Sequence, residues 1–239
     1  MRSIHVIRNA PFEGPGAIAE WAWRRGIPLT ESLAVTEEYP DQHEIAGVVV
    51  MGGPMAADDT AGNPWLVAEH RFLDSVVEAR VTALGVCLGS QVLAAVVGGT
   101  VRRNAVPEIG WYPVSLTGAG RREPLFAEWP DELVVGQWHG DTFDLPAGLE
   151  PCLSSEACAN QAFVAEGGRV VGVQFHAEWT ADSLAELVRE CREDLAAGDG
   201  PGGEWVASEA ELLVGVQRYL PQARRVLFDL LDLLFGSAE

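Results

Sequence analysis

The sequence predicts a three-layer α/β/α fold with a mostly parallel central sheet and a more mixed second half. In the first half, short runs rich in Val and Ile alternate with longer segments whose apolar residues recur at helical spacing. Such alternation implies a parallel sheet covered by helices on both faces. In the second half, strand-like runs follow one another closely, which indicates antiparallel pairs added to that sheet.

The elements are predicted from these patterns in chain order. Parallel strands are expected at residues 3–7, 45–51 and 81–87, and helices at 15–25 and 65–79. Further strands are predicted at 100–103, 112–116, 132–138, 161–166 and 169–175, the last two joined as a hairpin by Gly167 and Gly168. A helix is expected over 180–196, with Thr180 as its N-cap and Ser183 as an alternative cap.

The 239 residues suffice for one substantial domain, which we assign to residues 1–196. A Gly/Pro-rich break at 198–203 precedes apolar residues at helical spacing. We therefore interpret residues 197–239 as this break and a helical extension packed on the same domain. An apolar face at a chain end would also suit a homo-oligomer interface, so the oligomeric state stays open.

The charge and hydropathy of the sequence indicate which classes of partner to expect. A formal net charge of −19 argues against nucleic acid, because phosphate is bound by clustered Lys and Arg. Residues 81–100 carry no charge, but their interior glycines, Ser90 and Gln91 favour a buried strand and helix over a membrane span. The start of the chain shows no signal-peptide pattern, so a cytoplasmic location and reduced cysteines are expected. No cysteine has zinc-ligand spacing, and no metal site is predicted.

The strongest local signal for chemistry is the segment from Gly85 to Gln91, which contains Cys87 at the end of an apolar strand and the start of a helix. Glycines two positions on either side of a nucleophile permit a sharp elbow that exposes one side chain. A cysteine at a helix N-terminus favours the thiolate. The alternative is that Cys87 is one more buried, small apolar residue.

A base and an orienting carboxylate are predicted at His176 and Glu178, just past another strand. Two residues apart on an extended segment, Glu178 can bind one imidazole nitrogen while the other faces the thiol. The loop after the strand at 45–51 supplies oxyanion donors, for which we select the N–H groups of Gly53 and Leu88. A structural histidine and a simple Gly-Gly-Pro turn are the alternatives.

Taken together, these motifs resemble the class I (triad) glutamine amidotransferases, with a flavodoxin-like fold. Within that family, three more segments resemble the stand-alone branch similar to the amidotransferase domain of GMP synthase: residues 13–16 (Glu-Gly-Pro-Gly), 108–111 (Glu-Ile-Gly-Trp) and 138–143 (Trp-His-Gly-Asp-Thr-Phe). The match covers about residues 1–190.

The resemblance implies roles for individual residues. Cys87 would be the nucleophile, His176 the base and then the acid, and Glu178 the orienting carboxylate. Substrate binding is implied for Gly52, Gln91, Gly140 and Asp141, whereas His139 would shape the pocket. No cofactor is implied. Ala177 stands where the family usually has Pro, and nothing after Glu178 resembles an ATP pyrophosphatase domain, so GMP synthesis by this chain alone is excluded.

Three functions remain as hypotheses. The first is a glutaminase-type amidotransferase that releases ammonia and then glutamate through a γ-glutamyl thioester. The second is a γ-glutamyl peptidase or hydrolase acting on γ-glutamyl amines or peptides, since the chain has no synthetase domain to receive ammonia. The third is a non-catalytic regulatory or binding module. The partners expected are a small-molecule substrate and an unidentified synthetase, but no nucleic acid and no membrane.

Overall fold

The computed structural model describes residues 2–200 and 202–236. Its strands are Ser3–Arg8 (β1), Leu29–Leu33 (β2), Ile45–Val50 (β3), Thr82–Val86 (β4), Thr100–Leu116 (β5), Glu132–Asp144 (β6), Leu153–Ser154 (β7), Ala162–Ala165 (β8) and Val170–Val173 (β9). Its α-helices are Ala17–Arg25 (α1), Leu66–Glu78 (α2), Leu88–Val96 (α3), Ala181–Glu190 (α4) and Glu209–Phe235 (α5). Short 3-10 helices occur at Gly120–Arg122, Pro124–Phe126, Arg192–Asp199 and Gly203–Trp205.

Within the described residues, the nine strands form one sheet in the order β2-β1-β3-β4-β9-β8-β7-β5-β6. From β2 to β9 the neighbouring pairs are parallel, and from β9 to β6 they are antiparallel. The parallel half follows the flavodoxin-like order, in which ligands bind beyond the carboxyl ends of the central strands. The predicted fold class, including the mixed second half, is confirmed.

Helices cover both faces of the sheet because side chains alternate along the buried strands. In β1, Ile4 and Val6 pack against α1 and α5, whereas Ile7 belongs to the opposite cluster with α2 and α3. The extension α5 lies in the first of these layers. There, the Trp21 indole Nε1 donates to Asp232 Oδ1 over 2.8 Å, and the Trp21 ring packs on Phe235.

The structure differs from the predicted elements by more than small shifts of their ends. The two-residue strand β7 was not predicted, and β6 runs past residue 138 to Asp144. Residues 100–116 form one long strand, because a register shift between Arg103 and Glu108 accommodates Pro107, which lacks the N–H that a regular ladder needs. The edge strand β2 was not predicted, since its outer residues are polar and exposed. The helix after Thr180 ends at Glu190 and tightens into a 3-10 helix. Thr180 is its N-cap and forms a capping box with Ser183.

A helix that crosses a bilayer must be long and mostly apolar. Across residues 2–200 and 202–236, no helix is both long and apolar enough to cross a membrane.

Candidate active site

Cys87 lies at the turn from β4 into α3, in a strained conformation with φ 52° and ψ −110°. A non-glycine residue with positive φ costs free energy and persists only where its surroundings enforce it. Here the Cys87 N–H donates to Val173 O over 2.8 Å, which ties the elbow to the neighbouring strand β9. The elbow predicted from the sequence is therefore present, with the strain on the cysteine itself.

The two glycines of the elbow serve close packing, not positive φ. A Cβ at Gly85 would lie 2.4 Å from Gly89 O, and a Cβ at Gly89 would lie 2.1 Å from Val50 O. Both positions must be glycine for α3 to begin this close to β4 and β3. Neither glycine has a positive φ, so they permit the predicted elbow through close packing alone.

His176 and Glu178 follow β9, the sheet neighbour of β4, so the two strand ends bring them beside Cys87. His176 Nδ1 lies 2.7 Å from Glu178 Oε1, and both side chains are buried. With Nδ1 bound to the carboxylate, Nε2 is left for Cys87, which lines the same cavity as His176. Ala177 in place of Pro leaves this pairing intact.

The electrostatics of this group favour a positively charged imidazole. Burial lowers the pKa of His176, but the negative charges of Glu178 and Cys87, together with their hydrogen bonds, raise it further, and the net pKa lies well above the ordinary value.

Two contacts that sequence reasoning missed hold His176 and Glu178 in place. The Trp179 indole stacks on the His176 imidazole with centroids 4.6 Å apart and planes 11° apart. Gly136 makes room for that indole, since a Cβ there would lie 2.2 Å from Trp179 Cζ3. The Ala17 N–H at the start of α1 donates to Glu178 O over 2.7 Å. Their only sequence signals were that Trp179 is next to Glu178 and that residues 13–16 form a motif.

The predicted oxyanion donors lie on the wall of the same cavity as Cys87. Leu88 is the first residue of α3, so its N–H has no partner within the helix. Gly53 lies in the loop after β3, and a Cβ there would lie 2.8 Å from Leu88 Cδ2. Its lack of a side chain therefore allows the loop to pack on Leu88. The two N–H groups remain candidate donors.

Of the predicted substrate-binding residues, Gln91, Gly140 and Asp141 line this cavity. Gln91 Nε2 donates to Asp141 O and to Gln174 Oε1, each over 3.2 Å. Gln174 Nε2 in turn lies 3.6 Å from Cys87 Sγ and can donate to it. Gln174, a fully buried residue two positions before His176, was not singled out from the sequence.

Gly52, the fourth predicted substrate-binding residue, has a different neighbourhood. A Cβ at Gly52 would lie 2.1 Å from Glu13 Oε2 and 3.4 Å from His176 Cε1. Because Gly52 has no side chain, the Glu13 carboxyl can lie beside His176. The structure does not place Gly52 with Gln91 and Asp141.

His139 is fixed within the protein at both ring nitrogens. Nδ1 lies 2.9 Å from Asp141 O, and Nε2 lies 3.1 Å from Glu108 Oε2, which also accepts from Ser155 and Gln161. The network links the 108–111 and 138–143 motifs and sets the backbone position of Asp141. This position fits the pocket-shaping role that the resemblance implies.

The whole site opens into one cavity of about 430 Å³. Besides the predicted residues, its lining includes Glu13, Cys191 and Asp194. The four cysteines are free thiols. Burial, chiefly, and nearby acidic groups raise the pKa of Cys191 to about 12, so it is an unreactive thiol in the same cavity. The sequence carried no sign that Cys191 would reach the cavity.

Comparison with known proteins identifies relatives across most of the chain. The family profile "Glutamine amidotransferase class-I" matches residues 25–190. The glutamine amidotransferase-like protein YfeJ of Salmonella typhimurium is 34% identical over 214 residues, which cover 87% of this chain and 88% of that protein. GMP synthase of Edwardsiella ictaluri is 31% identical over 166 residues, covering 67% of this chain but 28% of the synthase. The chain therefore matches under a third of that synthase's length.

Solved structures agree with the sequence relatives. A glutamine amidotransferase from Thermotoga maritima superposes with a TM-score of 0.85 at 30% identity, covering 99% of both chains. One from Methylobacillus flagellatus has a TM-score of 0.89 at 28% identity, covering 100% of this chain and 96% of that one. The predicted resemblance, including its similarity to the amidotransferase domain of GMP synthase, is confirmed. The chain belongs to the class-I glutamine amidotransferases.

Proposed function

We propose that this protein is a glutaminase-type amidotransferase that hydrolyses the side-chain amide of glutamine. The observation that carries the proposal is the arrangement of Cys87, His176 and Glu178 at the ends of adjacent parallel strands, with Cys87 and His176 lining one cavity and Glu178 bound to His176. A thiol, a base and an orienting carboxylate in this order are the parts that acyl transfer to sulfur requires.

In the first half-reaction, the Cys87 sulfur attacks the side-chain carbonyl carbon of glutamine. The carbonyl oxygen becomes an oxyanion, which the N–H groups of Gly53 and Leu88 would stabilise. As the C–N bond breaks, the His176 Nε2 proton goes to the departing nitrogen, and ammonia leaves a γ-glutamyl thioester on Cys87.

In the second half-reaction, neutral His176 accepts a proton from water. The resulting hydroxide equivalent attacks the thioester carbon, the C–S bond breaks with its electron pair passing to the Cys87 sulfur, and glutamate leaves after its new carboxyl group gives its proton to solvent. The proton taken from water stays on His176, so the positively charged imidazole and the negatively charged sulfur of the starting state are restored. Throughout, Glu178 holds Nδ1 and balances the positive charge of the ring.

Glutamate release from glutamine tests this proposal directly. We expect turnover by the native protein and none by Cys87→Ala, whereas Cys191→Ala, which removes a second thiol of the same cavity, should keep most of the activity. Native protein that releases no glutamate, alone or with candidate synthetase partners, would count against the proposal.

A second candidate keeps the thioester chemistry and changes the leaving group to an amine or a peptide. The cavity favours it, because the lining extends beyond the catalytic group to Leu187, Glu193 and Ala197, which leaves room for more than an ammonia molecule. Comparing kcat/KM for glutamine with that for γ-glutamyl amines and peptides decides between the two, and a clear preference for glutamine removes the second.

A non-catalytic binding module would also fit a family whose fold serves several roles. Incubation with a glutamine-analogue electrophile and mapping of the adduct by mass spectrometry distinguish this case. We expect modification at Cys87, whereas an inert site would leave Cys87 unmodified.

A further inference from the structure

Glu13 brings a second carboxyl group, besides Glu178, to the proposed catalytic centre. It lies in the loop between β1 and α1 and lines the same cavity as Cys87 and His176. Its carboxyl group lies close to both Gly52 and His176. A Cβ built on Gly52 would be 2.1 Å from Glu13 Oε2 and 3.4 Å from His176 Cε1. The carboxyl therefore sits against the Gly52 backbone, beside the edge of the imidazole that lies between its two nitrogens.

The Glu13 side chain is partly buried. The nearby His176 is hydrogen-bonded to Glu178 through Nδ1 and not to Glu13. Burial raises the pKa of Glu13 to about 7, opposed by the positive charge of His176 and reinforced by the negative charge of Glu178. A polar group held this way beside the reacting atoms is suited to contact a substrate.

The order of strands tells which end of the substrate Glu13 faces. Cys87 follows β4, which lies between β1 and β3 on one side and β9 through β6 on the other. Asp141, with its partner Gln91, is on the β6 side, where the amino-acid end of the substrate is expected. Glu13 follows β1, so it lies on the opposite side of Cys87, where the departing nitrogen of a substrate held in this way would be.

We propose that Glu13 binds the leaving nitrogen of the substrate by accepting one of its N–H bonds, and so holds that nitrogen in line with His176. This inference rests on the proposed amide hydrolysis. It also gives a role to the 13–16 motif, since Pro15 and Gly16 carry the chain from Glu13 into α1, whose N-terminus holds Glu178.

The proton count of the step is unchanged by Glu13. His176 gives its Nε2 proton to the nitrogen while the C–N electron pair passes to that nitrogen. Glu13 accepts a hydrogen bond from an N–H that the amide already carries, and it releases ammonia when the thioester has formed. Its contribution therefore exists only for leaving groups that have an N–H.

The test compares two substrates that share the γ-glutamyl group and differ in the leaving atom: glutamine and the γ-glutamyl p-nitrophenyl ester. Glu13→Gln keeps the size of the side chain but replaces the carboxylate by an amide. We expect kcat/KM for glutamine to fall about 10-fold or more, in line with the loss of a hydrogen bond to a charged group, while the ester is hydrolysed at the native rate. Glu190→Gln, an exposed carboxyl on α4, is the matched control and should change neither rate.

Ester turnover also reports that the variant is folded and that Cys87, His176 and the oxyanion donors work. Equal losses for amide and ester would overturn the inference, because they would assign Glu13 a general effect on His176. Unchanged rates for both would overturn it too. Native protein that hydrolyses the ester but not glutamine or other γ-glutamyl amides would contradict the proposed function instead, and with it this inference.

Discussion

The indole of Trp179 lies flat on the imidazole of His176, with ring centroids 4.6 Å apart. Trp179 in turn packs edge-on against Trp111, with ring centroids 5.8 Å apart. The His176 imidazole is therefore supported by indoles from two segments that are distant in sequence. Glu178 fixes one nitrogen of the ring, and Trp179 fixes its plane. Together they leave the imidazole little freedom to turn away from Cys87.

Replacing Trp179 should therefore disturb catalysis without removing any reacting group. We expect Trp179→Leu to lower kcat about 10-fold, as misplacement of a catalytic group does, with a smaller change in KM. Steady-state kinetics with glutamine measure this, and Trp23→Leu, which changes an indole that is 81% exposed, serves as the control. An unchanged kcat would mean that Glu178 alone sets the ring position.

The charge of Glu178 should matter as much as its shape. Glu178→Gln keeps the side-chain length but removes the negative charge that raises the pKa of His176. We expect the pKa of His176 to fall and kcat/KM to drop about 100-fold or more, within the usual contribution of acid–base catalysis. NMR titration of the imidazole and kinetics check the two effects, with Glu186→Gln on the exposed face of α4 as the control. A pKa that stays high would contradict this account of the pair.

Packing at the elbow predicts a stability effect. A Cβ at Gly89 would lie 2.1 Å from the backbone oxygen of Val50, so Gly89→Ala must push α3 away from β3. We expect a loss of about 1–3 kcal/mol in the free energy of unfolding, as for other overpacked cores, measured by urea denaturation. Gly118→Ala, where the nearest atom to a Cβ is the end of the Arg122 side chain at 3.6 Å, should be nearly neutral. Similar losses for both variants would contradict the prediction.

Glu69 gives the protein a dependence of stability on pH. Its side chain is completely buried, and its two carboxyl oxygens have no hydrogen-bond partner among the described residues. Burial raises the pKa of Glu69 to about 8, partly opposed by Asn9, whereas its ordinary value is 4.5. In the unfolded chain the carboxyl ionises first, so its favourable contribution is complete below pH 4.5 and is lost as pH rises towards 8.

Replacing Glu69 by a residue that does not titrate should make the free energy of unfolding depend less on pH. At about 1.4 kcal/mol per unit of pKa shift, the loss is on the order of a few kcal/mol between pH 5 and pH 8.5. Glu69→Gln should reduce the fall in unfolding free energy over this interval, and Glu190→Gln should leave it unchanged. Urea denaturation at both pH values measures the difference, and an equal fall in native protein and Glu69→Gln would refute the assignment.

Sequence reasoning located the candidate catalytic residues because acyl transfer needs few residue types at strand ends. The nucleophile with its flanking glycines (Gly85, Cys87 and Gly89) lies in one short segment, and the base with its carboxylate (His176 and Glu178) lies in another. Each group therefore forms a local sequence pattern. The strands of the parallel half of the sheet could also be predicted from the sequence, because buried parallel strands are short apolar runs. The edge strand β2 and the continuous strand β5 were not, since their pairing depends on partners far along the chain.

The sequence by itself determined the family, the fold class and the identity of the candidate nucleophile Cys87, because these depend on local motifs and on hydrophobic periodicity. Only the tertiary structure placed Glu13 against Gly52, stacked Trp179 on His176 and pointed Gln174 at Cys87. The contact of Glu13 with Gly52 joins the segments after β1 and β3, and that of Gln174 with Cys87 joins the segments after β9 and β4, which become neighbours only when the sheet forms. Trp179 and His176 are three residues apart, but their stacking needs the room that Gly136 of β6 leaves for the indole. Spacing along the chain carries no record of these distant neighbours, since strand order and packing set them.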